Sequence, residues 1–169
     1  MAARIERHSP KPATFNSPLE AGMRAVAVLM ASYPHAYDLQ RLIALDYLLV
    51  HTGDVGGPYS LHPRSPYQST EFLMRRKIVE QAIMLMMTRG LIVREDNNQG
   101  TKYKAVENAN VFLSSLQSDY SKELKARAEW LSDNYGPLTD IEFNTEMKNV
   151  FDRWLVEFQA VERSLGAEA

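Results

Sequence analysis

The chain has no cysteine. Disulfide staples, thiolate zinc sites and cysteine nucleophiles are therefore excluded together. It also lacks a strong charge of either sign. With a formal net charge of -2, it cannot live mainly on phosphate contacts, so any nucleic-acid role must rest on a local patch or on a partner's charge. No apolar run approaches membrane-spanning length, and the opening "MAARIERHSPKPATFNSP" puts charges and prolines where a secretory signal needs an apolar core. A cytoplasmic protein without membrane contact is the expectation. The phosphate-binding string Gly-x-x-x-x-Gly-Lys-Ser/Thr, the serine-hydrolase elbow and the HExxH metal pair are missing as well. No cofactor is expected, and the chain should not bind ATP by itself.

What is present is ordinary for a globular protein: 169 residues, 45% hydrophobic and 24% charged, enough for one well-packed domain or a domain with an appendage. Residues 1–17, with Arg4, Arg7, Pro10, Lys11 and Pro12, have no sustained period and read as an extended arm. A helix begins at Pro18, capped by Ser17, and runs to Tyr33-Pro34 with Met23, Val26, Ala27 and Met30 at helical spacing. A second starts after Asp38 and carries Leu39, Leu42, Ile43, Leu45, Leu48 and Leu49, with a polar face so thin that most of it should be buried. The glycines and prolines of "GDVGGPYSLHPRSPYQS" then prevent regular structure for about a dozen residues.

Ser69 or Thr70 is expected to cap a long third helix that ends at Gly90. Its Met-rich end, Ile83 to Met87, is expected in the core. "LIVRE" and "TKYKA" read as strands joined by "DNNQG", whose Asn and Gly suit positive backbone angles. Three helices and a hairpin over residues 18–106 predict a winged-helix domain, and residues 107–169 a helical region packed on it. The fold class is mainly α with a small β-hairpin (α+β). At the end, Met147, Phe151, Trp154, Phe158, Val161 and Leu165 form a heptad-like seam. It packs either within the chain or on a partner helix. In the first case Phe143, Val150 and Leu155 form the outer edge left for a partner; in the second Trp154 is an anchor of the partner interface.

Candidate chemistry gathers in "HTGDVGGPYSLHP", where His51, Asp54, Tyr59 and His62 occur. Imidazoles and a carboxylate are suitable metal ligands. The spacing matches no common metal motif, so hydrogen bonding to the loop's own backbone is the simpler role, and a metal-dependent hydrolase built on His51, Asp54 and His62 is the weakest of three readings. For nucleic acid, Glu71 to Arg89 holds four basic residues against two acidic, and Arg94 to Lys104 three against two. Arg64, Arg75, Arg76, Lys77, Arg94, Lys102 and Lys104 are the candidate phosphate contacts. Base reading is not favoured, because the third helix opens with Phe72, Leu73 and Met74 where recognition helices offer Arg, Asn or Gln. Phe72 and Leu73 suit a protein partner better.

The strings "SPLEAGMRAVAVLMASYP", "YDLQRLIALDYLLVHTGDVGGPYSLHP" and "RRKIVEQAIMLMMTRGLIVRE" resemble the middle component of bacterial ABC-type three-component systems, a group that includes the small subunit of Lamassu-type anti-phage defence. The likeness covers Pro18 to Val106 and continues more weakly to Asp140. It implies a non-enzymatic accessory subunit of an anti-phage or anti-plasmid complex. Its partners would be a coiled-coil ABC ATPase resembling structural-maintenance-of-chromosomes proteins and an effector such as a nuclease, with DNA contacted inside the complex. The resemblance brings no catalytic residues, in agreement with the absent motifs. It also implies a tandem winged-helix subunit, whereas only one wing is evident here. The alternative from another class is a winged-helix transcriptional regulator.

Overall fold

The computed structural model describes residues 17–63, 68–150 and 152, and of residues 68–73 the backbone alone. The expected arm over residues 1–16, Arg64, the side chains of Phe72 and Leu73, and the seam from Trp154 onward lie outside the described residues.

The capping chemistry sets the first two helices. In α1 (Pro18–Ala31), Ser17 Oγ accepts the Glu20 N–H at 3.2 Å, and Pro18 occupies the first turn, where its missing N–H costs nothing. In α2 (Leu39–Val50), the Asp38 carboxylate accepts the Arg41 N–H at 2.7 Å, and every residue from Arg41 to Val50 is buried. The loop that follows is less irregular than its glycines suggest: Thr52–Val55 form a turn of 3-10 helix, closed by Gly56 at φ 77°.

Helix α3 spans Gln68–Thr88, so the backbone of Ser69 and Thr70, expected just before it, is already helical. Gly90, at φ 69°, ends it as expected, with its N–H on Met87 O and that of Leu91 on Met86 O, both at 3.0 Å. Strands β1 (Ile92–Asn97) and β2 (Gly100–Ala105) pair antiparallel from Ile92 opposite Ala105 to Asn97 opposite Gly100. Within the turn only Gly100 takes a positive φ, 119°. The asparagine works by another device: the Asn97 side chain accepts the Gln99 N–H at 2.8 Å. Tyr37 exchanges two backbone hydrogen bonds with Tyr103, at 2.9 and 2.8 Å, fastening the α1–α2 link to the hairpin.

Three further helices follow: α4 (Ala109–Ser115), α5 (Asp119–Tyr135) and α6 (residues 140–150). Thr139 and Glu142 cap α6 reciprocally, each side chain accepting the other residue's N–H, at 3.2 and 2.8 Å. The fold is thus mainly helical with one two-stranded antiparallel hairpin. No helix among the described residues is long and apolar enough to cross a membrane.

Helix α1 packs on α2, α3, α4 and α5. It approaches α3 closely because residue 22 is glycine; a Cβ there would sit 2.5 Å from Met86 Cε. Ile83 and Met86 are buried, as the core reading of the Met-rich end requires, but Met84 is 64% exposed. Helix α6 buries Phe143, Met147 and Val150, a four-then-three stripe. Phe143 and Val150, expected at a partner-facing edge, are therefore core residues. At Phe143 the ring packs on Arg41, whose guanidinium lies 4.4 Å from it and 4.3 Å from the ring of Tyr37. Arg41 also donates to Tyr135 O, Leu138 O and Asp140 at 2.9, 3.1 and 3.1 Å, while Lys102 of β2 reaches the same Asp140 at 2.9 Å. The α5–α6 corner is tied in this way to α2 and the hairpin.

Truncating Phe143 to Ala removes a buried ring from that corner, and the loss of unfolding free energy should be on the order of 3 to 5 kcal/mol. Chemical denaturation of the purified chain measures it; a loss below about 1 kcal/mol would contradict the packing of α6.

Candidate functional site

The expected basic surface is largely neutralised. Arg76 pairs with Glu80 at 3.3 Å, Arg94 with Asp96 at 3.0 Å, Lys102 with Asp140 at 2.9 Å and Lys104 with Glu95 at 2.6 Å. These pairs are at least partly exposed, so each adds little stability. Their effect is on the field, since each of these four cations stands beside a carboxylate. Lys77 is exposed on α3, and beside it on the same helix Met74 and Met84 are each 64% exposed. Arg75, expected to face phosphate, is buried instead.

Arg75 belongs to a buried centre that joins three helices. Asp46 of α2 receives Arg24 Nε of α1 on Oδ1 at 2.7 Å and Arg75 Nη1 of α3 on Oδ2 at 2.5 Å. Arg75 Nη1 also lies 3.3 Å from Asp46 O. Burial pushes the Asp46 carboxyl up, but the charges and hydrogen bonds of Arg24 and Arg75 outweigh it and hold the group below the usual carboxylate range. Burial likewise works against the charge of Arg24, and Asp46 reverses the effect.

An aromatic chain leads from this centre outward. The Arg75 guanidinium sits 5.3 Å from the Tyr47 ring, Tyr47 stacks on His51 at 4.3 Å, and His51 meets His62 edge-on at 6.3 Å. His62 stacks on Tyr120 of α5, and its Nε2 is 2.9 Å from the Tyr120 hydroxyl. Burial, then Arg24, His51 and Arg75, lower the His62 imidazole to about 4, with Asp46 acting in the opposite sense. Asp54 accepts the Tyr47 hydroxyl at 3.2 Å. His51, Asp54 and His62 are thus engaged with tyrosines and with each other's rings, and among the described residues no group of three or more His, Cys, Asp or Glu is arranged to hold a metal ion.

The centre was open to inspection in the sequence through its periodicity. Arg75 falls on the stripe of Val79, Ala82, Ile83 and Met86, and Arg24 on that of Ala21, Ala25 and Val28, all buried. A charged residue on an apolar stripe needs a buried partner. Asp46, in the middle of the apolar α2, is the acidic residue there.

The family described as ABC-three component (ABC-3C) system Middle Component 2 matches residues 14–157. The chain belongs to that family. It is therefore a component of an ABC three-component system and works with protein partners. Comparison with curated proteins and with solved structures gives no match.

Replacing Asp46 by Asn leaves two buried guanidiniums without their counter-charge, and should destabilise the fold by about 3 to 5 kcal/mol in denaturant unfolding. Its folded pKa lies below its unfolded one, so the stability Asp46 contributes is complete above about pH 4 and is lost as pH falls through the folded value. His62 acts in a higher window. An unfolded imidazole takes up its proton near 6.5 and the folded one only near 4, so stability should decline as pH drops between those values. In His62→Gln, melting temperatures across that range should vary less with pH than in the parent; an unchanged profile would show that His62 does not titrate so low.

Proposed function

We propose that the chain is a non-enzymatic accessory subunit that docks on the coiled-coil ATPase of its three-component system and helps couple DNA sensing to an effector such as a nuclease, as in Lamassu-type anti-phage defence. The observation that carries this reading is the pairing of Arg76 of α3 and of the hairpin cations Arg94, Lys102 and Lys104 with carboxylates of the same chain, beside two exposed methionines on α3. The element order, three helices then a hairpin with Tyr37 bridging to β2, supports a winged helix. Its exposed helix face carries Met74, Lys77, Gln81 and Met84. Such a face, with a methionine at each end and Gln81 as its single residue of the Arg, Asn or Gln types that read base edges, suits packing against protein better than reading a groove.

A transcriptional regulator built on the same architecture would bind a particular duplex by itself. Co-expression with the neighbouring ATPase gene should give a complex that co-elutes on size exclusion. The isolated chain should bind duplex DNA weakly and without sequence preference in fluorescence anisotropy. Where the assembled complex holds DNA through α3, changing Arg76 and Lys77 together to Glu should weaken its binding on all sequences and flatten the salt dependence. Tight, sequence-specific binding by the isolated chain would establish the regulator instead.

A further inference from the structure

The cations of the hairpin do not all find their carboxylates in the same place. The register, with Val93 opposite Lys104 and Glu95 opposite Lys102, puts these four residues on one face and Arg94, Asp96, Thr101 and Tyr103 on the other. On the second face Arg94 pairs with Asp96 of its own strand, and Thr101 donates to the same carboxylate at 2.6 Å. On the first, Lys104 crosses to Glu95 at 2.6 Å. Both carboxylates of the hairpin are then taken. Lys102 reaches outside it, to Asp140 at the start of α6, at 2.9 Å.

Asp140 does not depend on that lysine for its place. Arg41 Nη1 holds its Oδ1 at 3.1 Å, while the same guanidinium is anchored on Tyr135 O and Leu138 O and lies against the Phe143 ring. The reciprocal caps of Thr139 and Glu142 fix the backbone around it. Lys102, by contrast, comes to Asp140 on a flexible four-carbon stem. The hydrogen bond of Lys102, and then the contacts of Arg41, hold the Asp140 carboxyl below the usual carboxylate range against the opposing pull of burial, so the group is charged at neutral pH.

A fixed carboxylate therefore occupies a movable ammonium. Its oxygen stands where a phosphate oxygen would, since both accept a charge-assisted hydrogen bond from lysine. The charge of the face turns on this one contact. Lys102 and Lys104 against Glu95 leave a single positive charge, and Asp140 cancels it. A lysine released on such a face binds phosphate backbone as a point charge, without reading sequence.

We infer that the α5–α6 corner is autoinhibitory: Asp140 masks Lys102, and duplex DNA gains a phosphate contact on this face of the hairpin only when the lysine leaves the carboxylate. The inference goes beyond the accessory-subunit reading and does not depend on it, because the mask is built within the chain.

The test is fluorescence anisotropy of the full chain with a short labelled duplex at low ionic strength, repeated across a salt series. Asp140→Asn keeps an oxygen for Arg41 but removes the charge. It should bind about tenfold more tightly than the parent, with a log–log salt slope steeper by about one. Lys102→Gln in that background should return both to the parent values, whereas Lys102→Gln alone should change the parent's affinity by less than about twofold. Asp133→Asn, which removes an exposed charge elsewhere on α5, should behave as the parent. The inference is overturned if Asp140→Asn binds no better than the parent, or if its gain survives Lys102→Gln. An equal gain from Asp133→Asn would overturn it by making net charge the cause. So would a loss of about threefold or more from Lys102→Gln in the parent, which would show the lysine already free. That last measurement needs no Asp140 variant and decides the matter even where Asp140→Asn fails to fold.

Discussion

Helix α2 is buried from Arg41 to Val50, and a charge at its centre has no water to turn to. Asp46 sits there, and the fold is arranged around its neutralisation. An isolated carboxylate in such surroundings would cost several kcal/mol. Arg24 and Arg75 remove that cost only if α1 and α3 place them at the height of Asp46, one on each carboxylate oxygen. A buried ionic group of this kind adds little net stability compared with an apolar core, but it penalises every other register of the three helices heavily. The close approach of α1 to α3 at Gly22 and Met86 follows the same registration.

Two other arginines extend the scheme. Arg41, on the same helix as Asp46, holds the carbonyls of Tyr135 and Leu138 and closes the α5–α6 corner over Phe143. Arg127 clamps the carbonyl of Tyr59 and so fastens the α2–α3 loop to α5. In each case a planar guanidinium satisfies backbone acceptors that no ladder reaches, a task to which its fixed fork of donors is suited. Arginines that might have made a basic surface are thereby spent on holding the protein together.

The surface of the hairpin and of α3 is left with few unmatched cations. Arg76, Arg94, Lys102 and Lys104 stand beside Glu80, Asp96, Asp140 and Glu95, and their attraction for phosphate falls accordingly. Exposed Met74, Met84 and Tyr59 are the more distinctive surface features. Membership of the Middle Component 2 family agrees with a surface suited to proteins.

The sequence by itself determined the limits of α1 and α2, the glycine stop of α3 and the hairpin, because caps, glycines and apolar spacing are local and act within one turn or one strand. It placed the start of α3 too late and gave asparagine a positive backbone angle that in this turn only Gly100 takes, where several polar residues compete for the same role. Only the tertiary structure decided which of Arg75, Arg76 and Lys77 turns inward, that Phe143 and Val150 face the core, and that the cations of the hairpin are matched by carboxylates. Successive residues on a helix point about 100° apart, so a basic triplet names three directions at once. Which direction is the interior depends on where a carboxylate from another helix comes to lie, and that is fixed by packing between segments far apart in the chain.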